Sequence, residues 1–311
     1  MNRIKELKRM LEREAPGLEL REGEPMSRHT TFRIGGPAEL MALPGTAEEA
    51  RTALRAAAAL DVEPFFLGNG SNLLAADAGY DGFVLKPAGE LEEIRELPPG
   101  AGEEKTRLAA GGGAALSRLS AAALERGLTG LEFAQGIPGS VGGAVTMNAG
   151  AYGGEISQTL LQVAALERDG TERILSAAEC GLGYRRSRFS GGGMLVCRAV
   201  FALPRGDREE IAARMEDFSC RRREKQPLEY PSAGSVFKRP EGHFAGALIE
   251  QCGLKGLTVG GAQVSEKHAG FIVNLGGASC ADVLELVDRV RERVLRETGV
   301  ELEMEVRTLG I

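Results

Sequence analysis

Glu63-Pro64-Phe65-Phe66-Leu67-Gly68-Asn69-Gly70-Ser71-Asn72 reads as a short buried strand that runs directly into a glycine loop. Upstream, Ala38–Leu43 has the pattern of a strand ending before Pro44. Thr46 with Glu49 three residues on has the form of a capping box, which opens a helix through about Leu60. Strand, helix, strand and glycine loop make an α/β unit. The loop offers backbone N–H groups that no Cβ shields, with Asn and Ser side chains as further donors, and a chain without excess positive charge can hold a pyrophosphate that way. Its spacing is neither the GxGxxG of a Rossmann turn nor the GxxxxGK[ST] of a P-loop. A glycine turn after a strand is also ordinary architecture, so this loop alone leaves both readings open.

A second glycine-dense stretch, Gly136-Ile137-Pro138-Gly139-Ser140-Val141-Gly142-Gly143-Ala144, continues through Asn148-Ala149-Gly150-Ala151 to Gly154 without a single charge. It reads as a loop. Two donor-rich loops suit one long phosphate-bearing ligand lying between two subdomains, since a mononucleotide needs only one. The rest of the chain alternates. An amphipathic helix over 2–13 comes first, and beyond Phe83-Val84-Leu85 follow short strands including Lys105–Ala110. A helix over Leu116–Arg126 stops at Gly127, and strands near Gln162–Arg168 and Met194–Ala202 come next. The polar helix Asp207–Arg223 bridges to a last region. There Ser235–Lys238 is strand-like, Ala245–Cys252 helical and Gly270–Asn274 a strand. Ser279 and Asp282 cap a long helix with Val283, Leu286, Val287, Val290, Val294 and Leu295 on its apolar face, and Leu302–Leu309 closes as a strand.

The 311 residues are enough for one large domain or two to three smaller ones with a substantial core. Thirty-eight basic against 44 acidic residues give a net charge of −6, which provides no global attraction for nucleic acid or an anionic membrane. The five cysteines have no CxxC spacing and the three histidines stand in unrelated contexts, so neither a disulfide framework nor a metal site is expected. No stretch reaches about 18 uncharged apolar residues. The expectation is a soluble cytoplasmic protein. Glycine, at 43 residues, is about twice as frequent as usual, which assigns the glycines to particular backbone positions.

Three residues could carry chemistry. Ser235, in Ser232-Ala233-Gly234-Ser235, enters a strand from a glycine turn. A turn serine is the ordinary reading, but its hydroxyl can protonate a strong carbon base such as an enolate, and no neighbouring histidine marks it as a hydrolase nucleophile. Arg185 stands in Tyr184-Arg185-Arg186-Ser187-Arg188, either a solvated basic face or a bidentate clamp for a carboxylate. Glu305 shares a strand face with Glu301 and Glu303. Ordinarily such a face is wet, but buried beside Ser235 the carboxyl could hold a proton or orient the donor. His268 is most simply a loop residue.

These stretches together resemble the UDP-N-acetylenolpyruvoylglucosamine reductase (MurB) family. HTTFRIGGPA at 29–38, LGNGSNLL at 67–74, GIPGSVGGAVTMNAGAYGGE at 136–155, YRRSRF at 184–189, PSAGSVFKRP at 231–240 and VGGAQVSEKHAGFIVN at 259–274 occur in family order. The resemblance implies an α+β protein with a two-subdomain PCMH-type (vanillyl-alcohol-oxidase-like) FAD-binding fold and a third α+β substrate-binding subdomain. The implied borders are 1–86, 87–204 and 205–300, with 301–311 as a C-terminal strand returning Glu305 to the active site. It implies noncovalent FAD, NADPH as co-substrate, and hydride transfer to C3 of UDP-N-acetylglucosamine enolpyruvate with protonation at C2. The product is UDP-N-acetylmuramate, for peptidoglycan.

Carried over residue by residue, Arg185 offsets charge on the substrate carboxylate, Ser235 delivers the proton and Glu305 assists. The cofactor segments are Leu67, Gly68, Asn69, Gly70, Ser71 and Asn72, then Gly136, Ile137, Pro138, Gly139, Ser140, Gly142, Gly143, Ala144, Asn148, Gly150 and Ala151. Tyr184, Lys225, Arg239, Gln263 and His268 are expected at the substrate, Lys225 at a phosphate. Two departures stand out: family members often have Asn where this chain has Arg239, and residues 191–225 lack the Tyr of the longer branch. A monomer or weak dimer is expected, with no nucleic-acid or membrane partner. Another PCMH-type flavin oxidoreductase and a non-catalytic nucleotide-binding protein are the alternatives.

Overall fold

Alanine spacing shapes the first part of the chain. In the helix Ala47–Ala59, Ala50, Ala53, Leu54 and Ala57 are fully buried on one face, and their small side chains let the N-terminal helix Arg3–Glu14 pack close through Leu7 and Leu11. Thr46 caps the helix by accepting the Glu49 amide at 3.1 Å, while the Glu49 carboxylate reaches past the capping residue to the Gly45 amide at 2.7 Å. The expected reciprocal box is therefore displaced by one residue.

The computed structural model describes residues 2–98 and 104–311. The chain divides into two compact units. The first comprises Met1–Glu22, Glu39–Asn69 and Gly82–Cys220, and the second Gly23–Ala38, Gly70–Asp81 and Arg221–Ile311.

The first unit carries two sheets. One orders its strands Glu19–Pro25, Pro37–Leu43, Tyr80–Leu85 and Pro64–Phe66, the last two parallel and joined by the crossover that contains the glycine loop and Leu73–Ala75. The other is a five-stranded antiparallel sheet in the order Glu172–Ser176, Leu160–Glu167, Met194–Leu203, Thr106–Gly111 and Ile94–Leu97. Leu166, Leu195 and Cys197 from the second sheet join Leu40, Phe83 and Leu85 of the first in one core, so the two sheets share their apolar faces. A second core gathers Leu108, Leu119, Phe133, Val145, Val163 and Phe201 beneath the helix Leu116–Glu125.

In the second unit a four-stranded antiparallel sheet orders Ser232–Ser235, Phe271–Asn274, Ala262–Val264 and Thr258–Val259. The helix Cys280–Thr298 covers it with Val283, Leu286, Val287, Val290 and Val294, and Ser279 and Asp282 form its reciprocal capping box as expected. The C-terminal segment is less regular than its alternation suggests. Only Arg307–Leu309 is a strand, parallel to Leu73–Ala75, while Met304 makes a single bridge to Phe237. The sheet strand likewise ends at Ser235, short of the expected Lys238.

The largest revision concerns 136–154. Val141–Met147 is a helix, and Gly150–Ala151 and Gly154–Glu155 form a small hairpin, so the stretch is not one continuous loop. Its glycines argue against a helix, but tertiary contacts override them: Ser140 accepts the Gly143 amide at 3.2 Å as the N-cap, and Val141, Ala144 and Val145 are buried. Among the described residues no helix is long and apolar enough to cross a membrane, no group of His, Cys, Asp and Glu could hold a metal ion, and all five cysteines are free.

Candidate functional site

In the first unit the two glycine segments come together. A Cβ on Gly68 would stand 2.3 Å from Ser140 Oγ, so only glycine permits this approach, and Asn69 Nδ2 donates to the Pro138 carbonyl at 3.2 Å. Behind them the Gly142 amide donates to Gly112 O at 2.7 Å. Among the described residues the amides of Gly68, Asn69, Gly139 and Ser140 meet no acceptor. Unclaimed N–H groups on two touching, uncharged segments are the donor set a pyrophosphate needs, and they fit FAD as the ligand. The structure thus joins Leu67–Asn69 to Gly136–Ala144 within one unit.

Arg185 also belongs to the first unit. Gly183 and Arg186 exchange both backbone hydrogen bonds, at 3.0 and 3.2 Å, enclosing Tyr184 and Arg185 in a two-residue hairpin turn. Arg185 takes φ +54°, a conformation unfavourable by about 1–2 kcal/mol for a residue with a Cβ. Its Nη2 lies 3.5 Å from the Gly150 carbonyl, and its guanidinium carbon 5.5 Å from the ring of the exposed Tyr184. The turn lies in the connection between the strands Glu172–Ser176 and Met194–Leu203, and it aims the guanidinium toward Gly150.

Ser235 and Glu305 belong to the second unit, where backbone pairing brings their segments together. Gly234, at φ +78°, makes the irregularity between Ser232↔Val273 and Ser235↔Phe271. The Ser235 hydroxyl donates to Phe237 O at 3.2 Å. The next residue, Val236, donates to Gly270 O at 2.8 Å and accepts the Glu305 amide at 2.7 Å. Of the three alternating glutamates only Glu305 is half-buried. Glu301 and Glu303 are exposed, Glu303 pairing with Lys238 and Glu301 standing 3.8 Å from Arg291.

His268 lies on the same side as Ser235. A Cβ at Gly270 would be 3.0 Å from His268 Cε1 and 3.4 Å from Ser235 Oγ. Its Nδ1 accepts the Gly270 amide at 3.1 Å, and its ring meets Phe271 edge-on at 5.0 Å. Burial lowers its pKa below the ordinary value near 6.5, with Lys255 adding to the shift. Of the other expected substrate residues in this unit, Lys225 is exposed and Arg239 and Gln263 hold local partners. Lys225 ends the helix Arg208–Lys225. Arg239 folds over Phe244, 4.0 Å from its centroid, and donates to His243 O at 3.3 Å. Gln263 donates to Thr258 Oγ1 at 3.1 Å.

Two supporting residues lie in motifs visible in the chain, which do not mark their partners. Thr31 Oγ1 donates to Ser232 O at 2.6 Å from 201 positions away. Asn72, expected at the cofactor, donates from Nδ2 to Glu305 O at 3.2 Å. The HTTF and GSN motifs mark these residues as unusual, and only the folded chain gives them partners.

The FAD binding domain family matches residues 38–176, and the C-terminal domain family of UDP-N-acetylenolpyruvoylglucosamine reductase matches residues 226–309. The UDP-N-acetylenolpyruvoylglucosamine reductase of Agathobacter rectalis is 48% identical over 95% of both chains, and that of Clostridium botulinum strain Hall 47% identical over 92% of this chain and 91% of its own. The crystal structure of the Thermus caldophilus reductase, MurB, superposes with a TM-score of 0.78 at 38% identity, covering 94% of this chain and 98% of that one. Identity of this order along nearly the whole length, matched separately in the FAD-binding and C-terminal domains, makes the chain a member of the UDP-N-acetylenolpyruvoylglucosamine reductase family.

Proposed function

We propose that Arg185, Ser235 and Glu305 carry the chemistry of this chain, an FAD-dependent, NADPH-consuming reductase of UDP-N-acetylglucosamine enolpyruvate in peptidoglycan synthesis. Bound FAD supplies hydride, received from NADPH, to C3 of the enolpyruvyl group. The protein must then manage the charge and the proton. The Arg185 guanidinium pairs with the substrate carboxylate and offsets the negative charge that grows there as C2 becomes electron-rich. Ser235 Oγ gives its proton to C2. A serine hydroxyl is far too weak an acid for most acceptors, but an enolate carbon is basic enough. Glu305 steadies the hydroxyl and returns a proton to it. The observation that carries this assignment is the 2.7 Å bond from the Glu305 amide to Val236 O, which anchors the carboxylate-bearing residue one position from Ser235.

The segments Leu67–Asn72 and Gly136–Ala144 are assigned to the FAD pyrophosphate, in FAD-binding subdomains 1–86 and 87–204. Residues 205–300 take the UDP-sugar, with Lys225 at a phosphate, and 301–311 carry Glu305. A cytoplasmic monomer or weak dimer suits an enzyme that consumes NADPH and a nucleotide sugar and serves cell shape and division. The test is an anaerobic two-step experiment. NADPH should bleach the yellow protein, and UDP-N-acetylglucosamine enolpyruvate should restore the colour with formation of UDP-N-acetylmuramate. Colour that stays bleached would refute the substrate.

A further inference from the structure

Asn148 is 3% exposed and its side chain is engaged at both ends. Nδ2 donates to Gly183 O at 3.3 Å, and Oδ1 accepts the Ser157 amide at 3.0 Å. It closes the helix Val141–Met147 in a left-handed conformation, φ +42°. Gly183 is the residue that opens the Arg185 turn, and its carbonyl already accepts the Arg186 amide. The Asn148 bond therefore falls on the one peptide that sets where the turn begins.

Two more ties fasten the same segment. Ser187 Oγ and Ser190 Oγ both donate to Thr146 O, at 2.8 and 3.1 Å, and bind the residues after Arg185 to the last turn of that helix. These serines fix the trailing side of the turn, and Asn148 fixes the leading side. A non-glycine residue at φ +54° holds that geometry only when its surroundings over-determine it. Without the Asn148 bond the turn can relax toward a lower-energy backbone and swing the guanidinium.

We propose that Asn148 is a positioning residue for Arg185, coupling the Arg185 turn to the glycine segment of the FAD-binding domain through the Gly183 carbonyl. This rests on the reading of Arg185 as the carboxylate partner. Aspartate is the sharpest probe, because it keeps the shape and the acceptor for Ser157 but sets a carboxylate oxygen against the Gly183 carbonyl. Glycine removes both bonds while favouring the left-handed backbone.

The experiment uses FAD-loaded Asn148→Asp, Asn148→Gly, Arg185→Ala and the double variant Asn148→Gly/Arg185→Ala. In stopped flow, the Asn148 variants should slow recovery with the enol ether about 10- to 100-fold more than they slow bleaching by NADPH. In the Arg185→Ala background, Asn148→Gly should cost less than about twofold more, because the group it positions is gone. Calorimetry on the oxidised enzyme gives a readout without turnover. The preference for UDP-N-acetylglucosamine enolpyruvate over UDP-N-acetylglucosamine, which lacks the carboxylate, should fall in the Asn148 variants, with the affinity for the latter unchanged. Equal slowing of both half-reactions, loss of FAD, or a full Asn148→Gly penalty on top of Arg185→Ala would each overturn the inference and leave Asn148 a merely structural residue. If Arg185→Ala itself leaves both the rate and the preference intact, the reading of Arg185 fails first and the positioning role falls with it.

Discussion

The Glu305 amide donates to the Val236 carbonyl at 2.7 Å, and this bond ties the C-terminal segment to the strand end that presents Ser235. Met304 bridges Phe237 and the Lys238 amide reaches Glu303 O at 2.8 Å, so the contact extends over several residues rather than a single point. A carboxyl and a hydroxyl far apart in sequence thus share one support.

The roles proposed for these two residues touch only the second half-reaction. Ser235→Ala removes the proposed proton donor and leaves the backbone bonds at Val236 intact. Bleaching by NADPH should persist, while recovery with the enol ether slows by about three or more powers of ten, in line with loss of a positioned general acid. Glu305→Gln should slow the same step by about one to two powers of ten. Equal slowing of both steps in Ser235→Ala would make the serine architectural.

Gly68→Ala tests the cofactor segment. The new methyl would sit 2.3 Å from Ser140 Oγ, which caps the helix Val141–Met147, so either the loop or the cap must move. Overpacking of this kind costs about 1–3 kcal/mol. The variant should purify with less flavin per chain, read from the ratio of absorbance at the flavin band to that of protein, and should melt lower than the parent in the FAD-free state too. Full flavin content with an unchanged melting temperature would detach this contact from cofactor binding.

Much of the fold was legible because periodicity and caps act locally. Ser279 and Asp282 announce the helix Cys280–Thr298, and Val283, Leu286, Val287, Val290 and Val294 fall on the buried face as their spacing requires, whereas Leu295, expected on that face, is exposed. The helix at Val141–Met147 was not legible, since Gly142 and Gly143 lower its intrinsic propensity and its stability comes from distant partners such as Gly112. The candidate site divides in the same way. Ser235 and Glu305 could be marked by motif, but their adjacency depends on a pairing across about 70 residues, which no local pattern encodes. Asn148 and Thr31 are short polar residues, and their partners, the carbonyls of Gly183 and Ser232, are backbone groups without a sequence signature.

His268 predicts an acid limit. Burial lowers its pKa, so between the ordinary value near 6.5 and the lower folded value the unfolded chain binds the extra proton and the folded one does not. Its contribution is fully present above the ordinary value and is lost as the pH falls through that window. The melting temperature should therefore decline on acidification below about pH 6.5, and His268→Gln should flatten part of that decline while costing about 1 kcal/mol at pH 8 through loss of the Gly270 bond and the Phe271 contact. Parallel melting curves for the two proteins across the window would remove His268 as a source of the acid sensitivity.

Asn72 predicts a coupling between the end of the glycine loop and Glu305. Its Nδ2 holds Glu305 O at 3.2 Å, and its own carbonyl accepts the Arg307 amide at 3.1 Å, where Arg307–Leu309 begins to pair with Leu73–Ala75. Asn72→Ala deletes the first bond and keeps the second, so the strand pairing survives while the peptide after Glu305 loses its fixed partner. The loss in stability should be about 1 kcal/mol, that of one part-buried hydrogen bond. A shift of the Glu305 peptide should slow the enol-ether step about 10-fold, since small misplacements of reacting groups carry large penalties. Asn72→Ala should therefore add little to Glu305→Gln in a double variant, because both act through one carboxyl group. Strictly additive losses would mean that Asn72 acts elsewhere, and the FAD segment that it closes would then be the place to look.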